Sequence, residues 1–151
     1  MKKNKVLIIL MILSVLGLLT SLYLLKNHYN APLEGGFCDI TSGVSCTLVN
    51  NSIYSELLGI PVALLGAVWF IILFLLSWKA MKKKMNKEKY LTYLLAWSIV
   101  GVLFAMYFVI AEMLLKSICP LCTLAHVIIL IALIFSIILY KKNTSKTNKK
   151  R

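Results

Sequence analysis

Four cysteines, Cys38, Cys46, Cys119 and Cys122, fall along the chain as two close pairs. Seven residues separate the first two, in a stretch that includes Gly43 and several Ser and Thr residues. A loop that short closes easily, although spacing alone leaves the connectivity open. The second pair reads Cys119-Pro120-Leu121-Cys122. At a helix start this spacing holds two sulfurs close enough to alternate between dithiol and disulfide. Pro120 suits the first helical turn, and the unpaired N–H groups and positive dipole end there favour a thiolate. Thiol–disulfide exchange requires only that a thiolate reach a disulfide sulfur, so two such pairs suggest an electron relay. The competing readings are two inert staples and a four-cysteine zinc site. The latter has no supporting His or acidic cluster in the sequence, and no metal is expected.

The elements that carry these pairs follow from composition. Of 151 residues, 60% are hydrophobic and 15% charged, with a mean hydropathy of +0.87. Ordinary soluble domains are roughly 45–50% apolar and about 25% charged, so a soluble domain, a disordered chain and a nucleic-acid binder are all excluded. Uncharged apolar runs cover 6–25, 57–78, 90–111 and 117–140. Each reaches about 30 Å as a helix, enough to cross a hydrocarbon core. With no period-2 alternation they read as helices, whose backbone groups are satisfied internally. The expectation is an all-α membrane protein, a four-transmembrane-helix bundle in one domain spanning 1–151. The run 6–25 exceeds a signal-peptide core of about 7–15 residues and is read as a retained span. An outer loop, 26–56, carries Pro32, Gly35 and Gly36, and Leu48 to Leu58 reads as a short amphipathic interfacial helix capped by Asn50, Asn51 or Ser52. An inner loop, 79–89, and a tail, 141–151, complete the chain.

Charge gives these spans a direction. Of the 17 Lys and Arg residues, 15 lie before the first run, between the second and third, or after the fourth. Only Lys26 and Lys116 fall opposite, with Glu34, Asp39, Glu56 and Glu112. By the positive-inside rule both termini are cytoplasmic in a multi-pass plasma-membrane protein, and the net charge of +12 is mostly a topology signal. All four cysteines then face the extracytoplasmic side, where disulfides persist. There is no flavin or nicotinamide fingerprint, so an oxidant drawn from the bilayer, a quinone, fits best. His126 lies four residues after Cys122, hence on the same helix face, within an apolar span where a polar ring facing lipid is costly. It reads either as a quinone contact or as an imidazole satisfied inside the bundle. The aromatic residues Trp69, Phe70, Phe74, Trp97, Phe104, Tyr107 and Phe108 could line a pocket but are read mostly as core and interface.

The order Phe37-Cys38-Asp39, Ser45-Cys46, Ser52, Gly59-Ile60-Pro61 opening the second span, and Cys119-Pro120-Leu121-Cys122 opening the fourth resembles the vitamin K epoxide reductase family, in its bacterial-type members. The quinone-linked disulfide bond formation protein B family instead has its close cysteine pair in the first outer loop, so the order here is reversed. The resemblance implies catalytic roles for Cys38, Cys46, Cys119 and Cys122. A reduced thioredoxin-like, DsbA-like partner attacks Cys38, the freed Cys46 attacks Cys119, and Cys122 delivers electrons to a membrane quinone of ubiquinone or menaquinone type. It places Ser52 near the quinone or in ordering of the loop pair, although Ser52 also reads as a plain helix cap, and Asp39 in support of the loop. Where other members often carry a tyrosine against the quinone, this chain has His126. With no thioredoxin-like sequence after the fourth span, the partner is expected to be a separate protein. The alternative from another class is a soft-metal transporter with the cysteines as ligands; it predicts thiols on the inner side as well, where the sequence has none.

Overall fold

The computed structural model describes residues 3–30, 36, 38–41, 43–82 and 87–148. Phe37 and the turn residues Pro32 and Gly35 lie outside the described residues. Long helices dominate: α1 (Lys3–Tyr29), α3 (Val62–Lys82), α4 (Lys87–Leu115) and α5 (Pro120–Asn148), with a short α2 (Cys46–Asn50) in the first connection. Among the described residues these four long helices are apolar enough to cross a membrane. The bundle is a ring in which α1 packs on α3 and α5, and α4 packs on the same two.

Three helices extend beyond the apolar runs that predict them. The first run, 6–25, lies within a helix from Lys3 to Tyr29, and the fourth helix continues past Tyr140 to Asn148. Lysines in a last turn suit the negative end of the helix dipole, and elongating a nucleated helix costs little. The second run behaves oppositely. Its first residues form a hairpin, β1 (Glu56–Leu57) and β2 (Ile60–Pro61), with Glu56 opposite Pro61 and Leu57 opposite Ile60. Leu58 and Gly59 both have positive φ, 55° and 77°, as a two-residue type I′ turn requires. The helix therefore opens at Val62, and Gly59-Ile60-Pro61 belongs to the hairpin before it.

The core is packed tightly by small residues. Gly17 of α1 lies against the Phe70 ring of α3, in space that a Cβ would occupy, and Gly101 of α4 lies likewise against the Trp69 indole. Such close approach is how helices associate where no hydrophobic effect drives them together. Buried hydroxyls are satisfied within their own helices: Ser14, Ser77, Ser98 and Ser136 donate to the carbonyls of Leu10, Leu73, Leu94 and Ala132. Ser98 and Ser136 also meet at 3.0 Å, joining α4 to α5. Trp69 and Trp97 stack at 14°, and each indole N–H donates to the other residue's carbonyl, at 3.2 and 3.1 Å, tying α3 to α4. Large apolar side chains such as Ile12, Leu19, Leu103 and Met106 point outward, where lipid is the solvent.

Candidate active site

The first cysteine pair is positioned by a carboxylate. Asp39 accepts hydrogen bonds from Ser45 Oγ (2.7 Å), Thr47 N (3.0 Å), Thr47 Oγ1 (2.5 Å) and the Gly36 N–H. Part-burial of Asp39 pushes its pKa up, but the hydrogen bonds from Thr47, Ser45 and Gly36 together outweigh it and hold the carboxyl well below the usual carboxylate range. Ser45 is then free to cap α2, its Oγ accepting the Leu48 N–H at 3.0 Å. The short outer helix is therefore Cys46–Asn50, capped by Ser45, and not the expected Leu48 to Leu58 element. The Asp39 cradle and the Ser45 hydroxyl supply the start signal earlier in the chain than Asn50, Asn51 or Ser52. After a single helical turn the chain passes through a 3₁₀ turn, Ile53–Ser55.

This segment is fastened to α1 and to the approach of α5. Asn50 Nδ2 donates to the Leu24 carbonyl at 2.7 Å, and His28 reaches the Asn50 carbonyl at 2.8 Å and Glu56 Oε1 at 3.1 Å. On the other side the Ser45 N–H donates to Ile118 O (3.1 Å) and the Ile118 N–H to Gly43 O (2.9 Å), in a parallel bridge of Val44 with Ile118. This pairing lies just before Cys46 on one strand and just before Cys119 on the other, so the two cysteines enter the same packing layer together. Cys38 and Cys46 are joined in a disulfide, as are Cys119 and Cys122. Cys38, Cys46 and Cys119 are buried in one apolar cluster with Leu24 and Val49, and Cys122 packs against it.

At the start of α5, Cys119 takes the N-cap place, and its Sγ accepts the Cys122 N–H at 3.1 Å. Pro120 follows at the first helical position, where its missing N–H costs nothing. The sulfur of Cys119 thus already occupies the place where a helix N-terminus stabilises negative charge.

Behind the second pair lies a cavity of about 250 Å³ between the four helices and beneath α2. Cys122, Ala125, His126 and Ile129 of α5 line it, with Ser21 and Leu24 of α1, Val49, Asn50 and Ser55 of the outer segment, and aromatic rings from α3 and α4. Of the seven aromatic residues read mostly as core, five, Trp69, Phe70, Trp97, Phe104 and Phe108, face this cavity. Gly66 and Gly101 line the same cavity, and their sequence positions alone do not show that they meet these rings there. His126 stacks on Phe108, with centroids 6.3 Å apart, and its ring nitrogens form no hydrogen bond with the described residues. Ser52 does not reach the cavity wall; its hydroxyl turns back to the Val49 carbonyl at 2.8 Å, and Ser55 takes the place facing the cavity.

One acidic residue joins the site without having been singled out from the sequence. Glu112, in the last turn of α4, is 8% exposed, and its Oε1 accepts the Cys119 N–H at 3.1 Å. A carboxylate oxygen of Glu112 and the sulfurs of Cys119 and Cys122 all lie within 4.8 Å of one another. The sequence offered no acidic cluster beside the cysteines, and the structure brings one carboxylate to them. The turn from α4 to α5 makes this meeting. Lys116 has φ 51°, the Ser117 N–H bonds to Glu112 O and the Lys116 N–H to Met113 O, a Schellman motif that lacks its usual glycine. The sequence places Glu112 one residue beyond the run 90–111, and only the extension of α4 to Leu115 carries it into the helix.

Four spanning helices, two cysteine pairs in one buried cluster and a cavity reached by one of them define a multi-pass membrane thiol oxidoreductase. A family model described as "Vitamin K epoxide reductase family" matches residues 8–137, and the chain belongs to that family. Among curated proteins none matches the chain.

Proposed function

We propose that this protein carries electrons from a reduced thioredoxin-like, DsbA-like protein outside the cell to a quinone in the bilayer, and so supports disulfide formation in exported proteins. Both termini lie in the cytoplasm and the cysteine end of the bundle lies outside, as the 15-to-2 distribution of basic residues favours. The carrying observation is the position of the second pair: Cys119 belongs to the cluster of the loop pair, whereas Cys122 lines the cavity. Electrons entering at Cys38 and Cys46 therefore have one short route, through Cys119 to Cys122. The partner's thiolate attacks Cys38 and releases Cys46; Cys46 attacks Cys119 and releases Cys122. The partner's second thiolate attacks the sulfur bonded to Cys38, so that the partner leaves with its own disulfide; the freed Cys38 attacks Cys46 and releases Cys119, which leaves Cys119 and Cys122 as the dithiol. That dithiol returns to disulfide as the quinone becomes hydroquinone, with two electrons and two protons passing across.

The cavity suits the quinone as a substrate. Its walls are apolar and aromatic, and about 250 Å³ lies just below the roughly 300–1,000 Å³ of ordinary small-molecule pockets. It holds a ring system but not an isoprenoid tail, which would extend between helices into lipid. In this reading His126, which lines the cavity and hydrogen-bonds to none of the described residues, holds a quinone carbonyl.

The experiment follows quinone absorbance in the purified protein with either a reduced thioredoxin-like oxidase or a small dithiol as donor. Reduction that needs Cys122 with both donors, but needs Cys38 and Cys46 only with the protein donor, supports the relay. Reduction that survives Cys122→Ala, or no reduction with any thiol donor, overturns it.

A further inference from the structure

The geometry points to Glu112 as the proton acceptor for Cys119 when the Cys119–Cys122 dithiol is reoxidised. The inference rests on the quinone-reducing role proposed above and assigns a step within it. Reoxidation breaks two S–H bonds and forms one S–S bond, sending two electrons and two protons to the quinone. Cys122 faces the cavity and gives up its electron pair there. Cys119 closes the new bond, and to attack it must first become a thiolate. Yet Cys119 is fully buried, so no solvent base reaches its proton. The Glu112 carboxylate is the acidic group beside it, within 4.8 Å of both sulfurs, already fixed by the Cys119 N–H. In the reduced protein the proton passes from Cys119 Sγ to a Glu112 oxygen, leaving Cys119 as thiolate and Glu112 as carboxylic acid. On reoxidation the electron pair makes the disulfide and Glu112 releases its proton, so that the two protons lost by the two thiols equal the two gained by the hydroquinone.

Position argues for a chemical task. A carboxylate at the C-terminal end of a helix opposes the helix dipole, and one buried within a span is costly. Capping the Cys119 N–H does not require a carboxylate, since a glutamine oxygen accepts the same bond. Other titratable groups on the surrounding elements are otherwise engaged. Cys38 and Cys46 on the loop are disulfide-bonded and Asp39 sits in its own cradle. Glu56 pairs with His28, His126 lies on the cavity wall one turn beyond Cys122, and Lys116, on Glu112's own turn, is exposed.

Glu112→Gln and Glu112→Asp separate the acid–base role from the cap. Quinone reduction is measured from pH 6 to about pH 10 with a small dithiol as donor, so that the loop pair and the protein partner are not required. The expected result for Glu112→Gln is a rate lower by about 10²-fold near pH 7. The deficit shrinks as pH rises past about 8.5, where a thiol ionises unaided, and Glu112→Asp recovers part of the rate. As a readout independent of the quinone, the reduced-minus-oxidised infrared difference spectrum should carry a carboxylic-acid C=O band in wild type that Glu112→Gln lacks. A wild type active with dithiol and quinone, beside a Glu112→Gln variant slowed equally at every pH or not at all, with an unchanged infrared difference, overturns the assignment while leaving the quinone role intact. An inactive wild type defeats the proposed function and this assignment with it.

Discussion

Replacing Asp39 tests how the outer segment is held. Its carboxylate accepts four hydrogen bonds, from Ser45, Thr47 twice and Gly36. A bond to a charged group contributes about 1.5–3 kcal/mol when dry and about 1 kcal/mol when neutral or wet. Because the site is part-buried the lower figure applies, and with water replacing one of the four partners Asp39→Ala should cost about 3 kcal/mol of loop closure. At 1.4 kcal/mol per tenfold, local opening becomes about 10²-fold more frequent. Amide hydrogen exchange resolves this. The Ser45, Thr47 and Leu48 amides should exchange about 10²-fold faster in the variant, while amides in the middle of α3 and α4 keep their rates. Unchanged exchange at Thr47 and Leu48, or faster exchange spread evenly through the helices, would refute the view that this one carboxylate folds the loop. In function, the variant should lose electron uptake from a protein donor and keep reduction of quinone by a small dithiol.

Other outcomes follow from the same geometry. Since the folded Asp39 pKa lies below its unfolded value of about 3.9, its contribution is complete above that pH and is lost as pH falls through the folded value; the Thr47 amide should lose protection below about pH 4 in wild type, and show no such step in Asp39→Ala. Gly17→Val forces a side chain into the Phe70 ring and should cost about 1–3 kcal/mol by over-packing, read as a lower Tm in detergent. Ser98→Ala removes an interhelical hydrogen bond that is worth about 0.6 kcal/mol on average, so its Tm should barely move. His126→Phe should raise the KM for quinone while leaving the rate of exchange with a protein donor unchanged.

The spans were legible because lipid leaves so few choices: an uncharged run of about twenty residues has to be a helix, and clustered lysines bound it. The cysteine pairs were legible because residue type and spacing state the chemistry by themselves. What the sequence hid depends on turns without their usual residues. The 112–117 turn uses Lys116 at positive φ instead of glycine, so nothing announced that Glu112 folds back onto Cys119. The hairpin before α3 uses Leu58 at its first positive-φ position, so an apolar run read as helix five residues too early. Ser52, read as near the quinone, as ordering the loop or as a helix cap, opens the 3₁₀ turn, which brings Ser55 to the cavity. The cavity itself is lined by residues of four helices and the outer segment, a grouping visible only once they are packed.

The most direct test of the relay is to trap its central bond. In a protein carrying Cys38→Ala and Cys122→Ala, only Cys46 and Cys119 remain, and mild oxidation followed by non-reducing peptide mapping reports whether they join. The account predicts a peptide linked through Cys46 and Cys119 within a single chain, in high yield. Two free thiols, or linkage only between separate chains, would contradict the claim that the loop pair hands its electrons to the pair on α5.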